Sequence, residues 1–184
     1  MYVRYVEVGV CGLSCRLCPM YHMQTESRCA GCKSAARMAV GCPFITCAVK
    51  KKGIEFCWQC TESDTCERWK KHREGGRKQD SFKCYQKLEN DITLIREHGM
   101  EEFEKQQKIR EQFLKEMLRN FNDGRSKSYY CIAATVLKIE ELQGALSKAA
   151  KQSEGLQPKE KAKIMHSILE SISKEKSYLL KLRR

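Results

Sequence analysis

Ten cysteines, at Cys11, Cys15, Cys18, Cys29, Cys32, Cys42, Cys47, Cys57, Cys60 and Cys66, stand close together near the start of this chain. Cys15/Cys18, Cys29/Cys32 and Cys57/Cys60 have two residues between them and Cys42/Cys47 has four, separations at which two thiolates reach one metal ion. Four such pairs make two tetrathiolate sites. The loops inside consecutive pairs of pairs, ten residues before Cys29 and nine before Cys57, favour consecutive pairing, but nine residues also separate Cys32 from Cys42, so interleaving stays open. Gly31, directly before Cys32, suits a knuckle whose backbone turns with positive φ and aims N–H groups at sulfur.

Zinc is the expected metal, because four thiolates in a closed shell form a structural site that supplies folding energy to a segment with a modest core. The alternative is an iron–sulfur cluster. Cys11-x3-Cys15-x2-Cys18 matches the three-cysteine spacing of radical enzymes that cleave S-adenosylmethionine, and Cys18-Pro19 and Cys42-Pro43 echo the ends of ferredoxin runs. Those radical enzymes need a barrel longer than 184 residues, and no ferredoxin order of four close cysteines occurs. A disulfide scaffold is disfavoured, since residues 1–10 lack a basic region followed by an apolar run. A reducing, cytoplasmic location is expected, with no apolar stretch of membrane-spanning length.

Cys11-Gly12-Leu13-Ser14-Cys15-Arg16-Leu17-Cys18-Pro19, Cys29-Ala30-Gly31-Cys32, Cys42 with Cys47, and Cys57-Trp58-Gln59-Cys60 up to Cys66 form a pattern over about a third of the chain. It resembles a microbial family of cysteine-rich proteins of unknown function, for which zinc binding is proposed. The resemblance implies that Cys11 and Cys66 belong with the other eight. Asp64-Thr65 precede Cys66 where that family more usually has proline directly before the cysteine. The segment 122–133 is also similar to longer members, and no activity comes with the likeness.

The elements that position these residues follow from periodicity and turn signals. Residues 2–10 alternate loosely, with Val6, Val8 and Val10 on one side, and predict a short strand leading into Cys11. Short loops punctuated by Gly and Pro fill 11–66, with Tyr21, Phe44, Phe56 and Trp58 as packing for the sites. The predicted fold is therefore a small metal-stabilised irregular α+β module over 1–66, a basic linker and helix over 67–99, and an all-α antiparallel bundle over 100–184. The linker begins with a helical turn or two that Gly75-Gly76 ends, followed by a helix through Cys84, Leu88, Ile92 and Ile95 that His98-Gly99 closes. The bundle comprises an amphipathic helix over 101–122, a second helix from Ser126 or Ser128 to about Lys151, and a third starting at Pro158. Its stripe is Met165, Ile168, Leu169, Ile172, Leu179 and Leu182.

The formal charge of +12 is concentrated outside the cysteines. Residues 1–66 carry +3, which two loaded tetrathiolate sites of about −2 each would bring to about −1, whereas 67–184 carry +9. An electrostatic partner would bind there first. The expected function is a metal-stabilised binding or assembly module with a protein partner, rather than an enzyme. Histidines 22, 72, 98 and 166 are scattered, and neither a His-Glu-x-x-His helix nor a glycine-rich phosphate loop occurs. His22 is the one histidine near enough to Cys18 in sequence to serve as a ligand. Cys84 and Cys131 are expected to be buried thiols, a third site formed with Cys11 and Cys66 remaining open. The alternatives are electron transfer through iron–sulfur clusters, or nucleic-acid contact through the basic segments 68–87 and 159–184.

Overall fold

The computed structural model describes residues 3–81 and 83–184. Its longest element, Leu88–Asn120, is two helical arms meeting at Gly99, whose φ of 83° and ψ of 169° lie outside the helix. The stop expected at His98-Gly99 is thus a hinge, and glycine supplies the positive φ at little steric cost. Residues from both arms, among them Asp91 and Arg110, then line one cleft. The second arm buries Leu114, Met117 and Phe121 against the following helices. Pro158–Lys176 begins at the proline foreseen for its first turn, with the Glu160 carboxylate accepting the Gln157 N–H. Leu179 and Leu182 of the predicted stripe lie beyond this helix, which ends at Ser177 in the left-handed region.

The single helix expected from Ser126 to about Lys151 is two, Lys127–Val136 and Ile139–Gln152. Lys138 is extended, and its N–H is accepted by the Glu141 carboxylate at 2.7 Å, so a fresh N-terminus starts there. The chain can stop at Val136 because Arg110 Nη1 donates to the Ala134 and Leu137 carbonyls, at 2.9 and 2.6 Å.

The expected α+β character of the N-terminal module is not found: among the described residues there is no strand, only an isolated antiparallel bridge between Val8 and Ser14. Tyr2, the first residue of the predicted strand, lies outside the described residues. Apart from Val10 O, which accepts the Cys57 N–H at 3.1 Å, the alternating segment's backbone-to-backbone bonds among the described residues are to itself and its own continuation. Gly9 N–H donates to Leu13 O at 2.9 Å, Cys15 N–H donates to Glu7 O at 2.6 Å, and Gly12 turns with a φ of 92°. A Cβ on Gly12 would lie 3.2–3.3 Å from Ile92, Trp58 and Leu88, so this glycine also admits the first arm of the long helix. The segment expected to be loop contains an α-helix, Ala35–Val40, and a π-helical turn, Ile45–Lys51. Gly75-Gly76 does not end the linker helix, which runs Glu67–Lys78. A Cβ on Gly76 would meet the Tyr85 ring at 3.0 Å, so the glycine serves close packing rather than termination.

The largest apolar cluster lies among the C-terminal helices and takes Leu17 from the cysteine-rich segment. Smaller clusters join that segment to the kinked helix, through Val8, Phe56, Ile95 and Phe103, and through Leu13, Trp69, Leu88 and Ile92. Phe103, inside the helix expected for the bundle, therefore faces the cysteine-rich segment. Charge crosses the same boundary: Arg16 bonds Glu111 at 2.8 Å and Glu104 at 3.2 Å, with all three side chains largely buried. The last residues return along residues 76–86, where Arg183 pairs with the fully buried Asp80 carboxylate at 2.9 Å.

Candidate metal centre

A 3₁₀ turn at Cys15–Leu17 and the positive-φ turn at Gly31 bring the first two cysteine pairs to one chamber of about 180 Å³. Cys11, Cys15, Cys18, Cys29, Cys32 and Cys42 line it, and Cys15 and Cys18 are buried. The expected knuckle is present. Gly31 has a φ of 109°, Val6 O would lie 2.7 Å from a Cβ there, and the next N–H, that of Cys32, donates to Cys15 Sγ at 3.2 Å. Hydrogen bonding from the Cys15 thiol holds Cys32 down at about 6 against the opposing effect of burial, and Cys15 itself is pushed upward by the same bond. Gly9 leaves room at the rim, since a Cβ there would touch Cys11 Sγ at 3.4 Å and Cys32 Sγ at 3.7 Å.

The second set gathers around a 3₁₀ turn at Cys57–Gln59. Burial pushes the Cys57 thiol up to about 12, and its further electrostatic neighbours are Cys11, Cys66, Cys47 and Cys60. Lys52 Nζ donates to Cys60 Sγ at 3.1 Å. Cys47 sits on the π-helical turn, while Cys42, like Cys57, packs against the cluster of Val10, Ile45, Ala48 and Val49 and also lines the first chamber. Cys11 lies between the two groups, near Cys32, Cys42 and Cys57.

Lys83 had no signal in the sequence beyond belonging to a basic run. It is 6% exposed, makes no ion pair with a carboxylate among the described residues, and lies beside Cys15, Cys32, Cys18 and Cys11. Burial disfavours its ammonium; negative charge on those four sulfurs would outweigh burial and keep it protonated. Without metal, burial raises Cys11 and the bond to Cys32 raises Cys15, which leaves Cys32, held down at about 6, as an ionised thiol beside the ammonium. A divalent ion with four thiolates carries about −2, and so matches in sign what the buried ammonium lacks. Arg37, beside Cys29, Cys32 and Cys18, adds a second cation at the chamber. The donor chemistry, the N–H to sulfur bond, the space at Gly9 and the cations all fit a thiolate-bound metal. Among the described residues, however, no three His, Cys, Asp or Glu side chains are drawn together tightly enough to form a closed metal-holding group.

The remaining candidates fall elsewhere. His22 is engaged by the Arg16 carbonyl through Nε2, and burial lowers its pKa. Cys131 is buried among the helices, and burial pushes it up to about 12 and the half-buried Cys84 up to about 11. All twelve cysteines are unbridged. Phe56 and Trp58 stack at 4.4 Å, and Lys33 Nζ sits 3.9 Å above the Phe56 ring, so these aromatics pack the module as expected. Among the described residues no helix is long and apolar enough to cross a membrane. Comparison with curated proteins and with solved structures gives no match. Residues 7–71, about a third of the chain and a span that includes all ten candidate ligands, match the family model described as "Protein of unknown function (DUF3795)".

Proposed function

We propose that this chain is a thiolate metal-binding protein whose cysteine-rich segment holds two structural zinc ions, Cys15, Cys18, Cys29 and Cys32 serving one and Cys42, Cys47, Cys57 and Cys60 the other. Cys11, between the two groups, and Cys66, beside Cys57, are available to replace a pair member. The observation that carries this reading is Lys83, a buried ammonium with cysteines where a carboxylate would be expected. Lys83 and Arg37 together exceed the one thiolate that Cys32 supplies in the free chain, and an anionic metal–thiolate centre of about −2 balances them. Cadmium-substituted protein reports connectivity by NMR: two ions, each coupled to cysteines of consecutive pairs, is the expected result, and one ion per chain contradicts it.

Iron–sulfur chemistry is the second reading, favoured by one observation: Cys11, Cys15 and Cys18 line the same chamber as Cys29, Cys32 and Cys42, more thiols than one zinc ion needs. Visible absorption that bleaches on reduction separates the two. In either case we assign the helical part the role of a docking or assembly surface for a protein partner. Nucleic-acid contact through 68–87 is the weaker proposal, because Arg73 and Arg77 already pair with Glu89 and Lys83 is buried, leaving Arg68, Lys70, Lys71 and Lys78 as exposed cations there.

A further inference from the structure

The hinge at Gly99 encloses a second cavity, separate from the thiol chamber, between the two arms of the kinked helix and the turn at Cys15–Leu17. Its volume is about 260 Å³, below the roughly 300–1,000 Å³ of sites for drug-sized ligands and suited to a small metabolite. Its polar groups are unusually short of partners. Gln107 is 3% exposed and Ser14 8% exposed, and Gln107 Oε1 and Ser14 Oγ are buried without a hydrogen bond among the described residues. Native proteins leave few such atoms unsatisfied. The charges lack ionic partners too. Asp91 lies on the first arm and Arg110 on the second, with Lys87 one turn before Asp91; burial pushes the Asp91 carboxyl up to about 7 against the pull of Arg110 and Lys87, Arg110 spends Nη1 on the Ala134 and Leu137 carbonyls, and none of the three makes an ion pair among the described residues. Lys83 contributes a further cation on the wall shared with the thiol chamber. Water could satisfy Ser14 and Gln107, but it brings no charge to the gap between Asp91 and the cations.

We propose that this cavity binds an acidic amino acid, with its ammonium toward Asp91, its carboxylates toward Arg110 and Lys87, and Ser14 and Gln107 completing the hydrogen bonds. A zwitterion satisfies both signs at once, and the excess of cations over the single carboxylate selects a ligand with a second acidic group. Neither an ammonium nor a dicarboxylate alone does both. Of its charged groups only Lys83 is shared with the thiol chamber; Asp91, Arg110 and Lys87 do not line it.

Calorimetric titration of the full chain with L-glutamate, succinate and inorganic phosphate tests the assignment. L-glutamate should bind saturably with one site per chain, and succinate, which lacks the ammonium, about tenfold more weakly. Asp91→Asn should abolish the preference for L-glutamate over succinate, and Lys87→Gln, at a half-buried position, should weaken both, with circular dichroism confirming that each variant is folded. Absence of saturable heat with L-glutamate, equal affinity for succinate or phosphate, or unchanged binding by both variants would overturn it. The comparison of L-glutamate with succinate on the unaltered chain decides the matter even where a variant fails to fold.

Discussion

Replacing Arg16 with methionine tests how far the cysteine-rich segment and the helices stand as one unit. The guanidinium reaches Glu111 at 2.8 Å, Glu104 at 3.2 Å and Glu7 at 3.7 Å from a side chain only 14% exposed. Removing one partner of a buried charge network costs about 3–5 kcal/mol because the remaining charges are left without compensation. Glu111 keeps Lys115 at 2.8 Å and Glu104 keeps Lys108 at 3.8 Å, so the loss should be smaller, about 2–4 kcal/mol. For a chain of this size that is roughly 4–16 °C in Tm. Acidification supplies a second readout. Burial raises the Glu111 pKa, but Lys115 and Arg16 more than offset it, and the folded-state value lies below the ordinary one. Its contribution is therefore present above the unfolded carboxylate pKa of about 4.3 and lost as pH falls through the depressed folded value. The gap between Arg16→Met and the parent protein should accordingly narrow between neutral pH and about pH 3. Urea unfolding followed by helicity, together with thiol reactivity of the cysteines, measures both effects. A loss under about 0.5 kcal/mol at neutral pH, typical of a surface substitution, would refute the reasoning.

Three other outcomes are expected. Gly31→Ala should weaken metal retention in a competition with chelator and lower stability by about 1–3 kcal/mol, since it places a Cβ 2.7 Å from Val6 O and strains the turn that presents Cys32 N–H to Cys15. Tyr130→Phe should cost about 1–2 kcal/mol by thermal unfolding, because its fully buried hydroxyl donates to Phe121 O at 2.8 Å and the carbonyl would be left without that donor. Chelation, or lowering the pH toward about 5 so that protons compete for thiolate sulfur, should release metal and open the cysteine-rich segment to protease. Most helical circular dichroism should persist, since the bundle core draws one buried residue, Leu17, from that segment.

Where local physics decides, the sequence was a sufficient guide: Pro158 starts a helix, Gly99 breaks one, and Gly31 makes the knuckle beside Cys32. Where distant partners decide, it was not. Whether the alternating valines before Cys11 form a strand depends on finding a second strand, and here they meet a helix. Gly75-Gly76 has the composition of a stop, but its second glycine lies beneath Tyr85, a contact that no local pattern reveals. The break at Leu137 rests on Arg110, which is 27 residues away. Lys83 belonged to a run of basic residues considered for nucleic-acid contact, and only the packing of its segment against the cysteines makes it part of the site. The cysteine spacing exposed the candidate donors but left their grouping open, because equal loops permit more than one closure.

The central claim, that these cysteines are metal ligands, is tested most directly by elemental analysis of the full chain purified anaerobically, with free thiols counted on the same sample under native conditions. The expected result is about two zinc ions per chain, eight or more thiols protected from titration until chelator is added, and a colourless protein. Stoichiometric iron with sulfide would replace zinc by a cluster, and metal-free protein in which the cysteines between residues 11 and 66 titrate freely while the chain stays folded would contradict the claim.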